Sequence, residues 1–464
     1  MGARYRAASG AGRTLPSMET TAPAVATWPP RYRIHKYWSR KPADLVARRI
    51  EAASEPGDLV LDPFCGSGVA PIEAAALGRS AIGVDVNPFA VFLARATAGP
   101  CDADALAAAG ERVLVDAARQ EGRWHETRCR RCSGTARRAA AVTHRGALVA
   151  VVVRCPRCGG SVREEPDAAD RSGERASALA GDGGAPRPPV FAGWQTRKLI
   201  RAGIADFGEL FEPANLRAFA AIRRAIADEP DATLRPALEV ALTGALAQGS
   251  RMIADSGTAG GGPSWKLNIY WLPERRLALD PFRCFANRLA RVVAARHDAD
   301  ALLGDRPRPR FVCADARQLA EVVEPGSVAH VFADPPYGGE GIQYGELSAL
   351  WCAWLDPPLE PALAAEIGEN PAQGRDAATF ASGLAEAFRA VRGVLAEDGS
   401  MTVTFASSDA RSWAALRAAL GGAGFAVAGS TEVARSAPGL TERTTGGSTR
   451  ADVWLDCRVV PLPA

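Results

Sequence analysis

Residues 59–68, Leu59-Val60-Leu61-Asp62-Pro63-Phe64-Cys65-Gly66-Ser67-Gly68, decide how this chain folds. A short apolar run ends on an acid, a glycine turn follows, and Val69 to Leu77 continues as a helix. A second strand, Ser80 to Val84, ends on Asp85. Asn87-Pro88 then opens a helix to about Ala98, because proline fits a helical first turn. Strand and helix alternate again late in the chain: Phe311 to Cys313 leading to Asp315, Val328 to Ala333 leading to Asp334, a helix near Ala377 to Leu395, a strand over Ser400 to Ala406, a helix Trp413 to Leu420, and strands near Phe425 to Ala428 and Ala451 to Val459. The alternation predicts an α/β chain with a mostly parallel sheet.

Between these halves the pattern breaks, from about Gly99 to Arg310, and the segment reads as an insertion. The expected organisation is a disordered lead-in over 1–27, with Met18 as an alternative start, then one half of the sheet domain over 28–100. A cysteine-bearing insertion covers 101–162. Residues 163–190, rich in Ala, Gly, Asp, Arg and Pro without periodicity, read as a flexible linker. A helical insertion follows over 191–305, with Leu216, Phe219, Ala220 and Ile226, then Leu234, Leu238, Ala241 and Leu242, at helical spacing. Residues 306–464 form the second half of the sheet domain.

The 464 residues are 47% hydrophobic and 23% charged, enough for two or three domains. A net charge of +3 is too even to announce a nucleic-acid or membrane partner. Lysine occurs only at Lys36, Lys41, Lys198 and Lys266, so arginine clusters reflect coding bias and are discounted. No apolar run approaches the roughly 18 residues of a membrane span, and the first residues lack the apolar core of a secretory signal. A reducing, cytoplasmic setting follows, in which the ten cysteines need an explanation other than disulfides.

Small residues ahead of a helix let its N-terminus approach a ligand, and an acid about 20 residues on, at the end of the next strand, accepts hydrogen bonds from ribose hydroxyls. Gly66, Gly68 and Asp85 have that arrangement. Asp62 within the turn, and the lack of Gly-x-Gly-x-x-Gly spacing, disfavour a dinucleotide pyrophosphate. A nucleoside carrying a charged amino acid suits the turn better. The plain alternative is a strand-helix turn whose glycines serve packing.

Asp334-Pro335-Pro336-Tyr337 stands at the carboxyl end of an expected central strand, where open α/β sheets bind ligands. Consecutive prolines lock φ and donate no backbone hydrogen, so the Asp334 carboxylate and the Pro335 carbonyl face a pocket rich in acceptors. An exocyclic amine such as adenine N6 needs such acceptors, because its lone pair is delocalised into the ring. Tyr337 offers a π-face on which an extruded base would stack, worth about 1 to 3 kcal/mol. A Pro-Pro β-turn is the plain alternative.

With these motifs the chain resembles the amino-methylating DNA methyltransferases that use S-adenosylmethionine, in particular the adenine-specific DNA methylases that carry a zinc ribbon. The resemblance covers about 34–100 and 311–459. It implies a Rossmann-like methyltransferase sheet interrupted by a zinc-ribbon and helical insertion. By resemblance Asp62, Pro63, Phe64, Gly66, Gly68 and Asn87 bind the cofactor, Asp85 holds its ribose, and Asp315 lies near its adenine. The run Ile34 to Pro42, including Trp38, Ser39, Lys41 and Pro42, is similar to the motif lining the methionine end. Asp334 to Tyr337 match the catalytic motif, and Asp rather than Ser at 334 leans towards adenine N6 over cytosine N4. The order, cofactor half first, is similar to one permutation class of the family, but here the insertion precedes the strand leading to Asp315 rather than the catalytic strand.

Cys129-x-x-Cys132 and Cys155-x-x-Cys158 form two knuckles able to close a tetrahedral, structural Zn²⁺ site with no open position for catalysis; a redox dithiol or buried inert cysteines are the plain alternative. Gly146 to Arg154 reads as a ribbon strand between them. His125 and His144 read as bystanders, and the other six cysteines as core or loop residues. Arg197, Lys198, Arg201 and the Trp265 to Tyr270 run combine cations and aromatics that suit phosphate and a flipped base; solvated helix faces and a core Trp are an equal reading. Gly338 to Tyr344 reads as a mobile loop able to close over substrate, with an ordinary loop a nearly equal reading.

The expected activity is methyl transfer from S-adenosylmethionine to adenine N6 of flipped duplex DNA, with no membrane involvement. Cytosine N4, or RNA at guanine N2 or adenine N6, are the enzymatic alternatives, since Asp-Pro-Pro-Tyr-Gly occurs in such enzymes too. A zinc-ribbon nucleic-acid-binding protein with an inactive core is the other; filled cofactor and catalytic positions argue against it. A restriction or defence-system partner fits the resemblance, and no residue pattern encodes it.

Overall fold

The computed structural model describes residues 28–255, 270–339, 342–434 and 451–461. The expected lead-in with Met18, and Trp265 and Lys266, lie outside the described residues.

Twelve strands are described, in two sheets: β1 Leu59–Asp62, β2 Ser80–Asp85, β3 Glu126–Arg128, β4 Thr135–His144, β5 Ala147–Arg154, β6 Ser161–Glu164, β7 Arg275–Leu279, β8 Arg310–Cys313, β9 Val328–Ala333, β10 Leu395–Phe405, β11 Phe425–Ala434 and β12 Ala451–Val459. The larger sheet has the order β11-β12-β10-β9-β1-β2-β8. Five neighbours, β10, β9, β1, β2 and β8, are parallel, and β12 runs antiparallel between β10 and β11. This is the mixed, Rossmann-like α/β sheet that the alternation requires.

From β1 the chain moves outward through β2 towards β8, then returns with β9 to the other edge of β1. The reversal opens a crevice at the carboxyl ends of β1 and β9, the place where such sheets bind ligands. Val60, Leu61, Val331 and Val403 are buried, as expected for strands covered on both faces. The local signals act as read: Asn87 caps the helix Pro88–Ala98 by accepting from Phe89 N at 3.0 Å, with proline in its first turn.

The insertion forms a second sheet. β4 pairs with β5 along one edge, and along the other with β3 at its start and β7 at its end; β6 extends β5. Because β7 comes from well beyond residue 191, the cysteine-bearing and helical segments share one sheet rather than forming separate units. The helices Ala103–Glu121, Pro213–Ala227, Arg235–Gly249 and Pro281–Leu303 share a core with Phe89 and Leu93 of the sheet domain and with Trp351 and Trp354 of the helix Tyr344–Leu355. Each fully buried Leu or Phe there contributes about 1.5 to 3 kcal/mol, which ties the insertion to the sheet domain.

One expectation is corrected. Residues 163–190 are not a featureless linker: Ala168–Leu179 is a helix opened by a capping box between Asp167 and Asp170, and Glu174 pairs with Arg138 of β4 at 2.9 Å. Reciprocal side-chain caps define a helix start that apolar periodicity does not register. On either side of residues 340 and 341 the Gly338–Tyr344 stretch is hydrogen-bonded to Glu369. Gly339 N donates to Glu369 Oε1 at 2.9 Å, and the buried Gln343 donates through Nε2 to Glu369 O at 2.6 Å; residues 340 and 341 lie outside the described residues.

Candidate active site

Four carboxylates stand at strand ends around one cleft: Asp62 closes β1, Asp85 closes β2, Asp315 follows β8 and Asp334 follows β9. All four line it, together with Trp38, Ser39, Lys41, Pro63, Phe64, Gly66, Asn87, Pro335, Pro336 and Tyr337. Pro42 and Gly68 are outside the lining. Each caps a helix instead, Pro42 at Ala43–Ala53 and Gly68 at Val69–Ala76.

Asp85 fixes the turn beside it: Oδ2 accepts from Gly66 N at 2.8 Å and Oδ1 from Asn87 N at 2.8 Å. Each oxygen keeps a second lone pair for a ligand hydroxyl. Burial pushes the carboxyl up to about 6, against the two amides, which lower it. Burial likewise holds Asp62 well above the usual carboxylate range; Phe64 N, 3.0 Å away, opposes the rise, and Asp334 and Asp85 add to it. Arg317 grips Asp315 as a fork, with Nε at 3.0 and 2.9 Å and Nη2 at 2.6 Å.

Asp334 is surrounded by donors. Tyr337 Oη donates to Oδ1 at 2.7 Å and Thr404 Oγ1 to the same atom at 2.6 Å, while Lys41 Nζ stands 2.8 Å from Oδ2. The Tyr337 ring meets Phe405 edge-on, at 5.2 Å and 71°.

Sequence reasoning missed several members. Tyr37, Arg40, Tyr344 and Glu366 line the cleft, and Thr404 and Asp452 stand behind it. Tyr37 and Tyr344 lie nearly parallel, 6.5 Å apart at 12°. Burial raises Glu366 to about 7, although it accepts from Tyr344 N at 2.6 Å. Arg40 and Tyr37 belong to the Ile34–Pro42 run and were within reach of its reading; Thr404, Glu366 and Asp452 sit in no recognisable pattern. Ser39 adopts φ +52°, a left-handed conformation rare outside glycine, and accepts from Tyr344 Oη at 3.1 Å.

Arg40 bears on what the cleft takes. Its guanidinium donates to Ser67 Oγ at 2.8 Å, Tyr32 O at 2.8 Å and His35 O at 2.9 Å, all neutral acceptors. Burial draws it down to about 10, and no carboxylate pairs with it among the described residues. A half-buried cation without an anion, set among carboxylates, matches a ligand that carries both a carboxylate and positive centres. S-adenosylmethionine, with its carboxylate, ammonium, sulfonium, ribose and adenine, fits that donor and acceptor set.

The insertion brings Cys129, Cys132, Cys155 and Cys158 together with all sulfurs within 4.8 Å of one another. Cys129 to Cys158 is 3.8 Å and Cys132 to Cys155 is 3.7 Å. A tetrahedron with metal–sulfur bonds of about 2.3 Å has edges of about 3.8 Å, so the cluster has the dimensions of a four-thiolate metal site. His125 instead pairs with Asn215 at 3.0 Å, and His144 lies 3.9 Å from Glu274. Tyr270 is buried and donates to Leu347 O at 3.0 Å, so it serves the core and not a nucleic-acid surface. Arg197 stacks on Trp194 at 3.5 Å.

Fold and cleft together define an α/β chain whose carboxylate-lined crevice sets the Asp62–Gly66 turn beside an acidic Pro-Pro motif. Residues 17–95 match the DNA methylase family model. It is 57% identical over 47 residues to the type II methyltransferase M1.MboII of Moraxella bovis, which is 10% of this chain and 18% of that protein. The DNA adenine methyltransferase YhdJ of Escherichia coli K12 is 45% identical over 60 residues, 12% of this chain and 20% of that one. The chain thus spans about a fifth of the length of the curated relatives it matches. Among solved structures, the rRNA methyltransferase aviRa of Streptomyces viridochromogenes aligns over 91% of this chain and 88% of that one, at 13% identity and a TM-score of 0.29, too weak a likeness to bear on the fold.

Proposed function

We propose that the chain transfers a methyl group from S-adenosylmethionine to the exocyclic amine of a flipped base in DNA, adenine N6 foremost. The observation that carries this reading is the position of Asp334-Pro335-Pro336-Tyr337 at the end of β9, directly across the crevice from the Asp62–Gly68 turn at the end of β1.

Bound S-adenosylmethionine supplies an electrophilic methyl on its sulfonium. Asp62, Asp85 and Gly66 would hold the nucleoside side of the cofactor, and Arg40 its carboxylate. Asp334 and the Pro335 carbonyl accept the two amine hydrogens, which localises the nitrogen lone pair for in-line attack. With the cofactor bound, its methyl would pass to the amine nitrogen as the S–C bond breaks, and one N–H proton would go to Asp334 or to water. Tyr337 and the facing pair Tyr37 and Tyr344 give the base aromatic surface on which to rest.

Cys129, Cys132, Cys155 and Cys158 hold a structural Zn²⁺ in this reading, in a reducing cytoplasm that keeps the thiols free. A restriction or defence-system partner is consistent with it: an endonuclease blocked by the modification. Long-read sequencing of DNA from cells expressing the wild type beside Asp334→Ala tests the proposal. N6-methyladenine at a defined motif in the wild type alone is expected. N4-methylcytosine would keep the enzyme class and overturn the assignment of the base, and methyl groups found only in RNA would overturn the substrate.

A further inference from the structure

Lys41 stands in a run whose resemblance assigns it to the methionine end of a cofactor, and its ammonium is held on the Asp334-Pro335-Pro336-Tyr337 motif. Nζ lies 2.8 Å from Asp334 Oδ2 and 3.4 Å from Asp452 Oδ2, and it also donates to Tyr337 Oη. The side chain is only 6% exposed. Burial pulls the ammonium down, but Asp334 and Asp452 outweigh that and raise it overall, so Lys41 stays charged. Asp452 enters from β12, next to β10, which supplies Thr404.

The lone pairs of Asp334 can be counted. Oδ1 accepts both Tyr337 and Thr404, which fills the two acceptor sites of that oxygen. Oδ2 accepts Lys41 and keeps one site. Tyr337 is itself held, donating to Asp334 while accepting from Lys41, so the three groups close a triangle that fixes the carboxylate plane.

We propose that Lys41 is the positioning residue of this cleft: anchored from behind by Asp452, it orients Asp334 so that a single acceptor direction, on Oδ2, meets the amine being methylated. The inference rests on the methyl-transfer reading and deepens it. It separates Lys41 from its neighbour Arg40, since adjacent cations serve different ends of the cleft, Lys41 the acceptor amine and Arg40 an anionic ligand group.

Lys41→Met, Lys41→Arg and Asp452→Asn are compared for turnover on DNA and, by calorimetry, for cofactor affinity. Lys41→Met is expected to lower kcat at least 100-fold while the cofactor Kd stays within about threefold, and Lys41→Arg to recover at least tenfold of that loss. Asp452→Asn, which leaves the Lys41–Asp334 pair but removes its anchor, should lower kcat about five- to tenfold. If Lys41→Met leaves Asp334 and Asp452 too exposed to each other to fold, the double variant Lys41→Met/Asp452→Asn restores the charge balance and is assayed in its place. Cofactor Kd rising in step with the loss of kcat, or Lys41→Arg no better than Lys41→Met, would overturn the assignment.

A readout independent of turnover uses the ammonium resonances of the four lysines, in ¹H–¹⁵N spectra assigned with Lys41→Arg. Slow hydrogen exchange at Lys41 in the wild type, lost in Asp334→Asn, supports the ion pair. Fast exchange in both overturns it. A wild type that methylates no nucleic acid sinks the methyl-transfer reading, and the lysine spectrum then decides the pair by itself.

Discussion

Gly68 lies against the ring of Phe311 so closely that a methyl group on it would fall 2.9 Å from a ring carbon, and 2.9 Å from Ala94 Cβ. Its φ of +85° already disfavours any side chain. The second glycine of the turn therefore serves the packing of β8 and the helix Pro88–Ala98 against the turn, whereas Gly66 faces Tyr37 across the cleft. Gly68→Ala is expected to cost about 2 to 4 kcal/mol, from left-handed strain and overpacking together. Urea unfolding measures it; a change below about 0.5 kcal/mol would show that neither constraint operates.

Arg40 is the cation of the cleft without a carboxylate partner among the described residues. Arg40→Gln keeps donors for Ser67 and the backbone carbonyls but removes the charge. Cofactor affinity should fall about 10- to 100-fold, as for loss of one charge-assisted hydrogen bond at about 1.5 to 3 kcal/mol. Calorimetry with an analogue lacking the carboxylate should show no further loss in the variant. Equal losses with both ligands would mean that Arg40 shapes the turn through Ser67 instead.

The pH dependence has two opposite signs at Asp85. Its carboxyl is pushed up to about 6 by burial, so cofactor affinity should rise from pH 5 to 7 as the carboxylate forms and accepts ribose hydroxyls. Stability runs the other way. The folded state binds the proton more tightly than the unfolded chain, whose carboxyl titrates near the ordinary value of about 3.9, so this group's stabilising contribution is complete below about pH 4 and is lost as pH rises through 6. Glu366, near 7, titrates in the same cleft, which makes Asp85→Asn the control. Its affinity profile should lose the step near pH 6, and a step that persists would assign it to Glu366.

What the sequence disclosed follows from how local its causes are. The run Leu59–Gly68, the acid closing β2 and the Asn87-Pro88 cap each act within a few residues, and they lie where the pattern puts them. Thr404 and Asp452 could not be read, because they matter only after β10 and β12 pair and bring them behind a carboxylate some 70 and 118 positions away in sequence. The helix Ala168–Leu179 escaped for a related reason: its start rests on Asp167 and Asp170 capping each other, and its composition is that of a linker. Lys41 was legible as a site residue but its ion pair with Asp334 was not, since it directly follows Arg40 and only geometry parts the two cations.

Removal of one thiol tests the metal site. Cys155→Ser should lower bound zinc from about one per chain towards none and melt β3 to β6, because a ribbon with so small a core takes its folding free energy from the metal, about 10 to 16 kcal/mol in small zinc domains. The larger sheet has its own core, so cofactor affinity should survive. Unchanged zinc content in Cys155→Ser would contradict the four-thiolate site.

The arginines of the ribbon, discounted from composition, divide once their partners are known. Residues 126–165 carry nine arginines and three glutamates. Arg130, Arg137, Arg138, Arg145 and Arg163 pair with acids. Arg128, Arg131, Arg154 and Arg157, each next to a metal-site cysteine or between two of them, are exposed and form no ion pair among the described residues. Four thiolates on Zn²⁺ leave a local charge of about −2, which two of these cations would offset, and the remainder faces solvent. Replacing all four by Gln should weaken DNA binding uniformly across sequences and reduce the slope of log K against log salt by about 2 to 4, since each phosphate contact contributes about 0.9. Zinc content and cofactor affinity should stay as in the wild type. An unchanged salt slope with zinc still bound would show that these arginines only balance the thiolates, and that the nucleic acid is gripped elsewhere.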